Sequence, residues 1–372
     1  MSKSILAFFT IVGTIVGAGV FALPYTFAQS GVITCLIYFL ILTPVVVLLH
    51  LFFGEITLRT KEEQRLSGYT QKYLGKKAKH IVAASVIIGV LGSLVVYIIL
   101  AGDFLSILLP QWLSPAQYSI IAWGFLAFLV FLGTRSVAWV EVLMTSALFL
   151  VVAIVLVACL PHFKTVNLSL FNPAKIILPF GIIMFSLVGW SAVSEAEDLL
   201  TDKKKLKKII IIAVSLAAVF YCLFAIIISG VTGQQTSPEA LKSLVSVLGY
   251  KMMIFGALFG LLAVATSFLT LANYLKNNFI FDYQQPRYRA FGLACVSPLL
   301  LFLLGLRNFI VVISFLGAII GLIEGVALIL IYLKARKHGD RTPEYALKIP
   351  KFVPYLMLFI LFFGAIAQLF YQ

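Results

Sequence analysis

The sequence has 372 residues, 62% of them hydrophobic and only 11% charged, against roughly 45–50% and 25% in a soluble domain. Runs of 20 or more apolar residues follow one another, each long enough to cross a bilayer core of ~30 Å, which excludes a soluble enzyme. The formal net charge of +14 needs no nucleic acid to explain it, because the basic residues gather at one membrane face, where the inner leaflet is anionic.

Eleven spans are predicted, at residues 5–28, 31–56, 80–108, 117–133, 137–159, 175–199, 208–230, 251–275, 288–305, 308–333 and 351–371. The first carries GTIVGAGVFALPYTFAQSG (residues 13–31), with Gly13, Gly17, Gly19 and Pro24 inside one apolar run. Its length to Ala28 marks a span rather than a signal peptide. Gly17 lies roughly 18 Å along the helix from Ile5 at 1.5 Å per residue, near the bilayer midplane. Unpaired backbone at that depth is tolerated only where it lines a cavity or a ligand. Gly13-x-x-x-Gly17 alone also suits helix packing, but that reading leaves Gly19 and Pro24 unexplained. A break is therefore expected, with freed N–H groups at a helix N-terminus that suit a carboxylate.

The sixth span, AKIILPFGIIMFSLVGWSAVSEAEDLL (residues 174–200), enters from the opposite side, and Ser186 to Gly189 lie roughly 18 Å from its outer end. Spans 1 and 6 thus carry small or polar interruptions at matched depth, in opposite directions, five spans apart. That pattern points to an inverted-repeat transporter with its site between two discontinuous helices. The repeats are residues 1–159 and 175–333, and residues 351–371 form an extra helix. The fold class is an all-α polytopic membrane protein, read as a single transmembrane transporter domain.

In the eighth span, Ala263, Thr266, Ser267, Thr270 and Asn273 share one helical face. A membrane Ser or Thr alone more often bonds its own preceding carbonyl. Glu324 sits more than halfway along span 10; an acid at that depth is a functional candidate, either a proton relay or a bond to a neighbouring helix. Glu55, Glu141, Glu195, Glu197 and Asp198 lie nearer one face, and the acidic end of span 6 is expected to gate against Lys203–Lys208. Asp103, near the other end of span 3, is expected in the opposite gate. The four cysteines (Cys35, Cys159, Cys222, Cys295) lie in apolar runs without metal or redox spacing, and the four histidines (His50, His80, His162, His338) are scattered, mostly at span ends. No metal site and no enzyme active site is expected.

A cytoplasmic N-terminus leaves only Lys164, Lys175, Lys242, Lys251 and Arg307 outside, of 28 lysines and arginines. This satisfies the positive-inside rule and puts the C-terminus outside. The expected location is the plasma membrane.

The stretch Gly13 to Pro24 resembles the first-span signature of the amino acid–polyamine–organocation superfamily. LSGYTQKYLGKKAK (residues 66–79), ATSFLTLANYL (residues 265–275) and the eleven spans make it similar to the amino acid/auxin permease family, bacterial aromatic amino acid permeases included. The resemblance implies a leucine-transporter-like fold of five plus five inverted spans plus one, with helices 1 and 6 broken at midplane. It implies a free amino acid as substrate, aromatic or large and neutral, whose carboxylate meets the amides around Gly17, Ala18 and Gly19. The ammonium would meet carbonyls around Ser186, Gly189 and Thr14. Tyr97 would stand beside the carboxylate or roof the pocket, and Phe185 and Trp190 would shape it. A coupling cation would lie among the carbonyls of Gly13, Val16 and Ala263 and the hydroxyls of Thr266 and Ser267. Span 5 lacks the lysine that replaces this ion in some proton-coupled relatives, so sodium and protons both stand. The implied partners are the amino acid and the bilayer, with no nucleic acid and no cofactor beyond the coupling ion. The alternative is a non-transporting amino acid sensor on the same fold, like a germinant-receptor subunit. A metal-ion transporter is disfavoured, because the first break offers Gly-Ala-Gly in place of an acid or amide.

Overall fold

Inside a bilayer, backbone groups must pair within their own segment, and among the described residues the apolar runs form helices, two of them interrupted. The computed structural model describes residues 3–371 except 63, 111, 133–137 and 282, and omits the side chains of 138–145 and 281. The side chain of Glu141 falls outside the described residues. The first span divides into α1 (Lys3–Ile15) and α2 (Gly19–Ser30), bent by 52° at the break. There follow α3 (Val32–Arg59), α4 (Leu66–Leu74), α5 (Lys76–Leu108), α6 (Pro115–Leu132) and α7 (Ala138–Cys159). The sixth span divides into α8 (Pro179–Leu187) and α9 (Ser191–Leu199). After it come α10 (Leu206–Thr232), α11 (Leu241–Leu248) and α12 (Tyr250–Phe281).

The last three rods are α13 (Arg287–Phe291) with α14 (Ser297–Leu303), α15 (Phe309–Phe315) with α16 (Gly321–His338), and α17 (Phe352–Tyr371). A π turn joins each of the first two pairs, at Gly292–Val296 and Leu316–Ile320. Among the described residues, eight helices are long and apolar enough to cross a membrane, and the bent α1–α2 pair makes nine. The other two predicted spans fall on α7 and on the α13–α14 rod.

The short helices α4 and α11 were not expected. Gly75 adopts φ +94°, and its N–H bonds the carbonyls of Thr70 and Gln71. This closes α4 and lets α5 start at once, a conformation that favours glycine. The two divided spans cross in the middle of the molecule: α1 packs on α9, α2 packs on α8, and α10 lies against α1, α2 and α3. Large apolar side chains such as Leu40, Phe125, Phe128, Phe359 and Phe362 are exposed on the outer surface, as expected of a perimeter solvated by lipid.

Candidate functional site

The first break starts where the helical ladder skips. In a continuous helix the Gly17 N–H would bond Gly13; here it bonds Ile15 O at 2.9 Å. The N–H of Val20 bonds Gly17 O at 3.3 Å rather than the carbonyl of Val16. The carbonyls of Gly13 and Val16 are thereby released from the ladder. In the sixth span, Val188 is extended at φ −68° and ψ 132° and ends α8. Helix α9 restarts with the N–H of Ala192 on Gly189 O at 3.1 Å and that of Val193 on Trp190 O at 3.0 Å.

Small residues let the two breaks touch. A methyl group built on Gly19 would lie 2.5 Å from Ser186 Oγ and 2.7 Å from Ser186 Cα. One built on Gly189 would lie 2.5 Å from Ile15 Cγ1. Gly17 differs: its nearest neighbour on that side is the Tyr97 hydroxyl at 3.9 Å. Of the three glycines predicted at the substrate site, Gly19 and Gly189 therefore serve the crossing, and Gly17 opens onto space.

That space is a cavity of about 2100 Å³. It reaches Gly13, Thr14, Val16, Gly17, Ala18 and Gly19 from the first break, and Phe185, Gly189 and Trp190 from the second. Tyr97, Glu324 and the whole predicted face of α12 (Ala263, Thr266, Ser267, Thr270 and Asn273) also line it. Of the sequence-predicted site residues, Ser186 is not brought to the cavity. It is buried at the crossing, with its hydroxyl donating to Ile182 O at 2.7 Å.

Several predicted ligands already have internal partners. The hydroxyl of Thr14 donates to Thr10 O at 2.9 Å, and that of Thr266 to Ala263 O at 2.9 Å, which is the back-bonding usual for these residues. Oxygens that donate in this way keep lone pairs for a cation. The Ser267 side chain neighbours the Tyr97 hydroxyl, so a predicted substrate residue and a predicted ion residue lie side by side.

Glu324 bonds a neighbouring helix. Its Oε2 accepts from Trp190 Nε1 at 2.9 Å. The Trp190 ring is edge-on to His50, with centroids 5.9 Å apart. Of the four histidines, expected mostly at span ends, His50 is one that lies inside a span. His50 is fully buried about two-thirds of the way along α3, with Nδ1 2.8 Å from Val46 O. Its Nε2 has no hydrogen-bond partner among the described residues and faces Gly189. An ionisable residue within a span was itself the sequence signal for it.

The cavity continues to the basic end of the molecule, where Arg65, Lys79, His80, Glu195, Lys276 and Arg287 line it. There Glu195 pairs with Arg65 at 3.3 Å, not with the Lys203–Lys208 run, while Glu197 does pair with Lys203. The opposite end is closed. Phe21 meets Phe104 edge-on at 5.0 Å, Phe104 is fully buried against Gly260, and Asp103 pairs with Lys242 of α11 at 2.8 Å. Glu239 is buried beside this seal, and burial first, then the Asp103 carboxylate, raises its pKa, while Lys242 pulls against both.

The closed seal therefore holds Glu239 protonated to a higher pH than an opened one would, and it gains stability as pH falls toward the carboxylate range and loses it as pH rises. Hydrogen exchange over residues 237–245, corrected for intrinsic rates, is expected to slow on acidification just above that range. Glu239→Gln should remove the dependence. An unchanged pH profile in the variant would refute this role.

A model of the tryptophan/tyrosine permease family matches residues 1–368. The tyrosine-specific transport system 1 of Haemophilus influenzae is 24% identical over 365 residues, 92% of this chain and 91% of that one. The crystal structure of MhsT in complex with L-phenylalanine is similar in fold, with a TM-score of 0.67 over 98% of this chain and 97% of that one, at 17% identity.

Proposed function

We propose that this chain, which belongs to the tryptophan/tyrosine permease family, carries an aromatic amino acid across the membrane together with a cation. It is a transporter and not an enzyme. The observation that carries the substrate reading is the cavity ending on two broken helices, with open space over Gly17 and with Tyr97, Phe185 and Trp190 around it. The Gly17 N–H is engaged by Ile15 O, so the amides of Ala18 and Gly19, at the start of α2, take the carboxylate. Backbone carbonyls near the crossing take the ammonium. The aromatic side chain packs among the three rings.

The basic end faces the cytoplasm, so the N-terminus is cytoplasmic and the C-terminus outside. The cavity is then open inward, and the Phe21–Phe104 and Asp103–Lys242 contacts form the outer seal. Alternating access works by rocking the halves 1–159 and 175–333 about the crossing. A sodium ion fits among the freed carbonyls of Gly13 and Val16, Ala263 O and the hydroxyls of Thr266 and Ser267, an all-oxygen set of dipoles suited to a hard cation. A proton fits Glu324, which reaches the cavity and exchanges its hydrogen bond with Trp190. The family's description as permeases favours transport over sensing.

Binding of labelled tyrosine to the purified protein tests the substrate class. Tryptophan and phenylalanine are expected to compete, and arginine and glutamate are not. Saturable binding displaced equally by arginine would refute the aromatic reading.

A further inference from the structure

Between the two breaks stands a residue from a third helix. Tyr221, in the middle of α10, is fully buried. Its hydroxyl donates to Ile15 O at 2.7 Å and lies 3.1 Å from Ser186 O. Ile15 ends α1, and Ser186 lies in the last turn of α8. One phenolic proton is therefore shared between carbonyls of the two discontinuous helices, at the point where their small residues Gly19 and Gly189 bring them into contact.

We infer that Tyr221 is a positioning residue for amino-group recognition: it ties the two broken helices together so that the carbonyls left free at the crossing converge on the substrate ammonium. The inference rests on the reading above that this crossing holds an amino acid. Two carbonyls that face each other across a helix crossing repel through their partial charges, and in low dielectric that repulsion is not screened by water. Something with a polar hydrogen or positive charge must lie between them, and Tyr221 supplies it from within the chain.

The Ile15 carbonyl is then fully used, since it accepts from both the Gly17 N–H and Tyr221, and a carbonyl has two lone pairs. The Ser186 carbonyl takes the longer, weaker branch and keeps one lone pair. Without the phenol, both carbonyls are free to swing apart, and the spacing that recognises an ammonium goes with them. Recognition of the carboxylate, on the Gly17 side of the break, does not depend on this tie.

The test is Tyr221→Phe, which keeps the ring and removes the hydroxyl. Binding of tyrosine is compared with binding of 3-(4-hydroxyphenyl)propionate, the same molecule without its amino group. The unaltered protein is expected to prefer tyrosine strongly. In Tyr221→Phe that preference should fall by about tenfold or more, the size of a lost hydrogen bond to a charged group, while affinity for the deaminated acid stays within about twofold. A merely structural role would weaken both ligands alike, and equal losses would overturn the inference. Should Tyr221→Phe not fold, 4-aminophenylalanine incorporated at position 221 keeps an N–H donor at the reach of the phenol and is expected to retain most of the preference; a complete loss of preference in it would overturn the inference too. Absence of tyrosine binding in the unaltered protein would overturn the reading beneath it, and the inference with it.

Discussion

Valine at position 17 is expected to lower tyrosine uptake by about 100-fold or more while the protein still inserts and stays monodisperse. The reason is where the added atoms go. A Cβ on Gly17 meets nothing closer than the Tyr97 hydroxyl at 3.9 Å, so the fold accepts it. The branched side chain then fills the space over the amides proposed for the carboxylate. Displacing a bound group by about 1 Å is enough for a loss of ~10²-fold. Gly19→Val is the counter-experiment. Its Cβ would lie within 3 Å of Ser186 backbone and side-chain atoms, where overpacking costs about 1–3 kcal/mol or more. That variant should lose thermal stability first. Normal uptake by Gly17→Val would remove the site from the first break altogether.

The second large effect separates the two ions. Thr266→Ala combined with Ser267→Ala removes both hydroxyls from the sodium position but leaves its carbonyls. Each hydrogen-bond-scale contact to a charge contributes about 1.5–3 kcal/mol, so sodium activation should weaken by roughly 100-fold if sodium is the coupled ion. Glu324→Gln removes the proton from the other candidate while leaving an amide oxygen that still accepts from Trp190. It should abolish proton-driven uptake and spare sodium-driven uptake. Measuring uptake against sodium concentration and against pH in both variants gives a cross of outcomes. Ion dependence unchanged in both would show that neither position is the coupling site. Ser267 also neighbours the Tyr97 hydroxyl, so the double variant is expected to raise the KM for tyrosine as well; a sodium effect with no KM change would break the proposed link between ion and substrate.

The broken first span was legible because Gly13, Gly17 and Gly19 gather near midplane, where glycine is costly; Pro24 lies inside α2, past the break. The face of α12 was legible because helical periodicity alone aligns Ala263, Thr266, Ser267, Thr270 and Asn273, and all five line the cavity. The gates were half legible. Glu197 finds Lys203 six residues away, within reach of sequence reasoning, but Glu195 finds Arg65 at a separation of 130 residues. Ser186 was legible only in part: its side chain packs in the helix crossing and not on the cavity, and a small polar residue at a break serves a ligand or a close crossing equally well by pattern. Only the packing of Gly19 against it decides for the crossing. Tyr221 was hidden because it belongs to an unbroken apolar helix, and its role exists only once α1 and α8 are brought to its hydroxyl. Lys242 was read as a leftover external charge; its place in the seal depends on α11, a short helix whose entry is set by the positive φ of Ala240.

The measurement that tests the central claim most directly is accumulation of labelled tyrosine in proteoliposomes, with sodium and proton gradients imposed separately. Concentrative uptake is expected under at least one gradient, abolished when that gradient is collapsed. Saturable tyrosine binding with no accumulation under either gradient would contradict it, leaving a protein that holds an amino acid at the crossing of its broken helices and never carries it across.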